Sequence, residues 1–159
     1  MQLDVVFGET LCEAPEPIAL KPIRLGVSDA GVPYRSSPST ILAATQHESL
    51  AWKVLWMCTD GWPQGKDLYD AVLLAEAIPE DALARVHALI THVIASAAGS
   101  YGAPPEARIV PDWRETLVGE ERRARTAWEW NHMQADHPHL AHVTLEELDA
   151  RLRAALRLR

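Results

Sequence analysis

Hydrophobic positions in residues 46–78, QHESLAWKVLWMCTDGWPQGKDLYDAVLLAEAI, fall in two long runs that few charges interrupt. In the first run, residues 50–58, the only charge is Lys53. In the second, Lys66, Asp67 and Asp70 bunch at the start, and residues 71–75 are apolar on every side. Asp60-Gly61, Pro63 and Gly65 lie between the runs. This pattern predicts two helices joined by a tight loop, which makes them antiparallel neighbours. A lone ammonium inside an apolar helix costs several kcal/mol, or loses its proton, unless a negative group meets it. Asp67 and Asp70 are three residues apart and share a helix face. They also sit in a first turn, which favours anions. Two readings follow: a buried structural ion pair, or a polar pocket for a phosphate-bearing ligand with Lys53 as its anion contact.

The rest of the pattern is strand-like first and helical afterwards. Residues 2–7 alternate as a strand, with Leu3, Val5 and Phe7 on one side and Asp4 on the other. Residues 18–27 form the only other good strand candidate, and Pro22 interrupts it. A two-stranded ribbon is marginal by itself. The sheet is therefore expected to be incomplete, either because the chain begins inside a larger ancestral domain or because a partner supplies strands. Residues 28–39 read as a loop, and 40–44 as a short strand or turn. After Pro79, Leu83, Val86, Ile90, Val93 and Ala97 mark an amphipathic helix that ends at Gly99.

Further helices are expected at 113–118 and 120–136. The second carries Arg122, Arg123 and Arg125 ahead of Trp128 and Trp130. Such a set suits a nucleic-acid surface, but an ordinary packed helix with a solvated side is the favoured reading. His87 and His92 are five apart, and His132, His137, His139 and His142 include no pair four apart, so neither group has helical metal-ligand spacing. Thr144 and Glu147 form a capping box ahead of the stripe Leu145, Leu148, Leu152 and Leu156. Arg151, Arg153, Arg157 and Arg159 gather at the end of that helix and read as a solvated face. The fold class expected is α+β: a small, incomplete N-terminal sheet of two strands packed on a mainly helical body of about five helices. Residues 1–159 form a single domain in this reading, with a strand-rich part at 1–45 and a helical part at 46–159.

Composition narrows the function. The chain has 159 residues, 48% of them hydrophobic, which suffices for one domain with a core. Its net charge of −7 argues against a surface that is basic overall. Cys12 and Cys58 are the only cysteines and form no CxxC, so a disulfide scaffold or a cysteine zinc site is not expected. No apolar run reaches the roughly 20 residues that span a bilayer. The start, MQLDVVFGE, lacks a signal-peptide pattern. A cytoplasmic protein with no membrane partner is expected.

Three blocks carry a family resemblance: LDVVFGE at 3–9, SLAWK at 49–53 and GKDLYD at 65–70. In this order and spacing they resemble bacterial AbiEii/AbiGii-type nucleotidyltransferases, which include toxins of type IV toxin–antitoxin and abortive-infection systems. The resemblance covers roughly the first half of the chain. It implies Mg²⁺ held by carboxylates and a nucleoside triphosphate (NTP) aligned for attack at its α-phosphate. Under it, Asp4 is a metal-site carboxylate and Lys53 contacts the triphosphate, with Lys66 as a second nucleotide-binding lysine. Asp67 orients Lys53 or an incoming nucleophile, and Asp70 supports it. Lys53, Asp67 and Asp70 are thus the expected catalytic set. The acceptor would be RNA, tRNA in particular, or protein. A cognate antitoxin and a second copy of the chain are the expected macromolecular partners.

The departure from the family is that its Gly-Gly-Ser-type turn and Asp-x-Asp pair are missing from the sequence. The chain is therefore expected to be N-terminally truncated and inactive alone, with Mg²⁺ bound only by a complete site. The alternative is a non-catalytic module that binds a nucleotide, an anion or a partner.

Overall fold

A computed structural model describes residues 11–20, 24–27, 33–35, 39–60, 64–97 and 112–158. The chain divides into two compact units, Met1–Thr45 and Gln46–Arg159. The α+β class holds, with strands in the first unit and helices in the second.

Among the described residues the first unit has strands β1 (Glu16–Leu20), β2 (Arg24–Val27), β3 (Pro33–Arg35) and β4 (Ser39–Ala43). They form two antiparallel ribbons, β1 with β4 and β2 with β3. Ile18 faces Ile41, and Leu20 faces Ser39. The strand expected over 18–27 is thus two strands with different partners, β1 ending at Leu20 and β2 beginning at Arg24, and Pro22 lies outside the described residues. The loop expected over 28–39 contains β3. Proline is tolerated as the first residue of a strand, and Tyr34 is a strand former. The register shifts between Arg24 and Gly26. The expected strand at 2–7, and Asp4 with it, lies outside the described residues.

The second unit holds α1 (Gln46–Thr59), α2 (Gly65–Glu76), α3 (Leu83–Ala97), α4 (Trp113–Val118), α5 (Glu120–Asp136) and α6 (Leu145–Ala155). Helix α1 is the hub, packed on α2, α3 and α4; α2 also packs on α5 and α6. Burial explains that position. Leu50, Ala51, Val54, Leu55, Met57 and Cys58 are all buried, so α1 is covered nearly all round. A 3₁₀ turn, Glu80–Ala82, follows Pro79 and leads into α3, where Val86, Leu89, Ile90, Val93 and Ile94 are buried. The Thr144 hydroxyl caps α6 by accepting from the Glu147 amide at 3.1 Å.

Of the arginines expected to form a solvated face, Arg151, Arg153 and Arg157 are bonded to other elements, and Arg159 lies outside the described residues. Arg151 makes a two-pronged bond to Glu76 at 2.7 and 2.8 Å. Arg157 reaches Glu80, and Arg153 donates to the Val118 carbonyl. Their acceptors lie on α2, the 3₁₀ turn and α4, so these side chains lash α6 to three other elements.

Candidate functional site

Helix α2 begins with an unusually close approach. A Cβ on Gly65 would stand 2.8 Å from Trp130 Cα and 2.9 Å from its nitrogen. Only glycine lets the start of α2 lie on the backbone of α5. The next residues are thereby fixed against α1. Asp67 lies in the first turn, where the helix dipole favours a carboxylate.

Four charges of alternating sign then meet. Lys53 Nζ donates to Asp67 Oδ1 at 2.7 Å and lies 3.5 Å from Asp70 Oδ2. Lys66 Nζ donates to the same Asp70 oxygen at 2.6 Å. The Lys53 and Asp67 side chains are about a tenth exposed, whereas Lys66 and Asp70 are about a third exposed. The cluster therefore runs from the protein interior to its surface. The Lys53 ammonium is also 4.9 Å from the ring centre of Trp56, a cation–π distance. Trp52 stands 6.3 Å from Trp56. Of the residues proposed from sequence, the structure brings Lys53, Lys66, Asp67 and Asp70 together; Asp4 is outside the described residues.

Three further buried or half-buried groups were not singled out from sequence, and only Asp60 is shown beside this cluster. Asp60, at the end of α1, has its carboxyl pushed above the ordinary range, first by burial and then by the negative charge of Asp67. Its carbonyl accepts from Arg125 Nη1 at 2.8 Å, which ties α5 to the end of α1. Glu48, in the first turn of α1, is fully buried. The available signal was spacing: Glu48, Ala51, Leu55 and Cys58 share a helical stripe. Cys58 offers no thiolate, because burial pushes its thiol up to about 12.

Among the described residues no group of three His, Cys, Asp or Glu side chains could hold a metal ion. Asp67 and Asp70 both face ammonium groups, which is a poor arrangement for a divalent cation.

A family model described as "Nucleotidyl transferase AbiEii toxin, Type IV TA system" matches residues 1–156. The chain belongs to the AbiEii family. The match runs well past the first half, so the helical second half is part of what defines this AbiEii protein. No curated protein and no solved structure matches the chain. AbiEii membership makes this a nucleotidyltransferase-like protein of toxin–antitoxin type and implies a cognate antitoxin. Among the described residues no helix is long and apolar enough to cross a membrane.

Proposed function

We propose that this AbiEii protein binds a nucleoside triphosphate through Lys53 and Lys66, with Asp67 orienting Lys53 and Asp70 shared between the two ammonium groups. The observation that carries the reading is the exposure gradient across the cluster. An incoming triphosphate can take Lys66 from Asp70 at the partly exposed end of the cluster and then reach Lys53. In a family member with its full carboxylate set, the chemistry is transfer of a nucleotide from an NTP to RNA, tRNA in particular, or to protein. Asp4 is the residue we assign to Mg²⁺. The described carboxylates do not make a metal site, and the sequence contains no Asp-x-Asp. The 159-residue chain by itself is therefore proposed to bind nucleotide without transferring it. We take residues 1–45 as the strand-rich part of a nucleotidyltransferase core and 46–159 as its helical part, in one cytoplasmic domain. A cognate antitoxin binds it, and a second copy is a candidate for completing the sheet.

The second reading, a non-catalytic nucleotide-, anion- or partner-binding module, is favoured by the commitment of both Asp67 and Asp70 to lysines. Calorimetry with ATP, GTP, CTP and UTP, with and without Mg²⁺, tests the common element of the two. At least one triphosphate is expected to bind, and Lys53→Ala is expected to abolish that binding. If Lys53→Ala binds as tightly as the parent and loses only stability, the cluster is a structural ion pair. Nucleotide incorporation into bulk tRNA tests the inactivity that both readings share, since any transfer by this chain contradicts it.

A further inference from the structure

Among the described residues, Trp128 is the large aromatic that packing does not explain. It is 56% exposed on α5, although Trp130, two residues on, is buried. Its ring centre is 3.9 Å from that of His132, one turn further along. His132 Nδ1 lies 2.9 Å from the Trp128 carbonyl oxygen. A carbonyl only accepts, so Nδ1 is the donor. The two rings form an aromatic rim held in place by backbone.

His132 is also a wall of a cleft of about 200 Å³, where the start of α2 meets the end of α5. Gln64, Lys66, Glu129, Asp136 and His137 complete its polar lining. On α5, Glu129, His132 and Asp136 lie at spacings of three and four, so they share one face. The volume is below the roughly 300–1,000 Å³ of sites that engulf a drug-sized ligand, and suits a single ring system. Two carboxylates inside such a small space repel phosphate but accept hydrogen bonds from amino and imino N–H groups. Lys66, on the α2 side, attracts the phosphate attached to such a ring and repels a guanidinium. Donor-bearing base edge, stacking platform and adjoining phosphate describe one nucleotide unit.

We propose that this cleft takes a nucleobase of single-stranded RNA, stacked on His132, with its amino edge toward Glu129 and Asp136; Trp128 is outside the cleft wall and backs the His132 ring at the rim. The binding stands on the cleft alone; its role in holding an acceptor strand rests on the nucleotidyl-transfer reading above. Base–aromatic stacking is worth about 1–3 kcal/mol per base, which is about 5- to 150-fold in affinity. Adenine and cytosine present an amino group with two N–H donors, whereas uracil presents a single imino N–H flanked by two carbonyl oxygens that Glu129 and Asp136 repel.

The test is fluorescence anisotropy of the full chain with labelled short oligo(A), oligo(C) and oligo(U) RNA. Oligo(A) and oligo(C) are expected to bind more tightly than oligo(U). Trp128→Ala is expected to weaken oligo(A) binding at least fivefold with its melting temperature unchanged, and Trp128→Phe to restore most of it. Lys53→Ala is expected to leave oligonucleotide binding intact, which separates failure of this site from failure of the triphosphate site. Equal binding by Trp128→Ala, or no binding of any oligonucleotide, overturns the proposal. So does AMP displacing oligo(A) at equal concentration, which assigns the cleft to a free nucleotide. An arginine-rich peptide that binds in a Trp128-dependent way while RNA does not also overturns it, and assigns the face to a protein.

Discussion

At the α1–α2 corner Lys53 meets Asp67 with about a tenth of each side chain still in water; at the α5–α6 corner Arg122 meets Asp149 with only 2% of each exposed. The second pair is the more deeply buried. Arg122 Nη2 donates to Asp149 Oδ1 at 2.5 Å, and Nε donates to the Leu117 carbonyl at 2.9 Å. The other Asp149 oxygen accepts from Arg123 Nε at 2.8 Å. One nitrogen, Arg122 Nη1, is buried without a partner. The first pair is open. Its ammonium has Asp70 as a second neighbour, and Asp70 leads to Lys66 and the surface. Burial of charge alone therefore does not mark a functional site here. Both pairs have a partly exposed charged neighbour, Asp70 and Lys66 at the first and Arg123 at the second, so the contrast lies in depth: the partly wet pair can exchange a partner for a ligand, and the nearly dry one holds helices together.

The largest effect that sharpens this contrast is expected from Asp149→Ala. It leaves the Arg122 guanidinium buried with no counter-charge, a change that typically costs about 3–5 kcal/mol. Against a total stability of about 5–15 kcal/mol for a domain, that is a large part of the fold. Urea denaturation should show it, and triphosphate affinity of the folded protein should be unchanged. A loss below about 1 kcal/mol would mean that water reaches Arg122 and that the pair is not sealed.

Asp67→Ala is expected to cost less, about 1–3 kcal/mol, the usual penalty for a buried polar group deprived of one partner. Asp70 stays within reach of Lys53, and the corner is already partly wet. Its distinctive outcome is in binding, since the freed Lys53 should hold a triphosphate in an altered geometry and with altered affinity. If Asp67→Ala and Asp149→Ala cost the same and neither changes nucleotide binding, the two corners are equivalent and the contrast fails.

The open corner was legible in the sequence because Lys53 stands alone in an apolar run, so a charge there demanded a partner. The sealed corner was not. Arg122 sits in the run EERRAR, where an arginine looks solvated, and Asp149 sits among the acids of LEELD. The signal present was phase. Arg122, Thr126 and Trp130 are four apart and all buried, and Asp149 adjoins Leu145, Leu148 and Leu152 on the buried side of α6. Counting charges hides this, whereas following one helix face would have shown it. The ribbons were only half legible for a related reason. Pro22 signalled an interruption, but pairing partners depend on which strands come together, and β3 is three residues long.

The smallest expected effect concerns pH, and it acts near the end of α6. His87 Nε2 lies 3.0 Å from the Leu156 carbonyl, and the imidazole stands edge-on to Trp113 at 5.4 Å. Its pKa is lowered below the ordinary histidine value, first by burial and then by the positive charge of Arg114, against a smaller opposing contribution from the Leu156 hydrogen bond. A lowered folded-state pKa means that the unfolded chain takes up this proton first. Stability is then unaffected well above the ordinary value of about 6.5 and falls as pH drops below it, until the folded form also protonates. The imidazole is only half-buried, so solvent screens much of the effect. Melting temperature measured from pH 7.5 to 5.5 is expected to fall less steeply in His87→Gln than in the parent chain. The same titration should leave the contrast between Asp67→Ala and Asp149→Ala in place, because neither pair contains a histidine. Identical slopes for parent and His87→Gln would place the pH response elsewhere and leave the end of α6 held by its arginines alone.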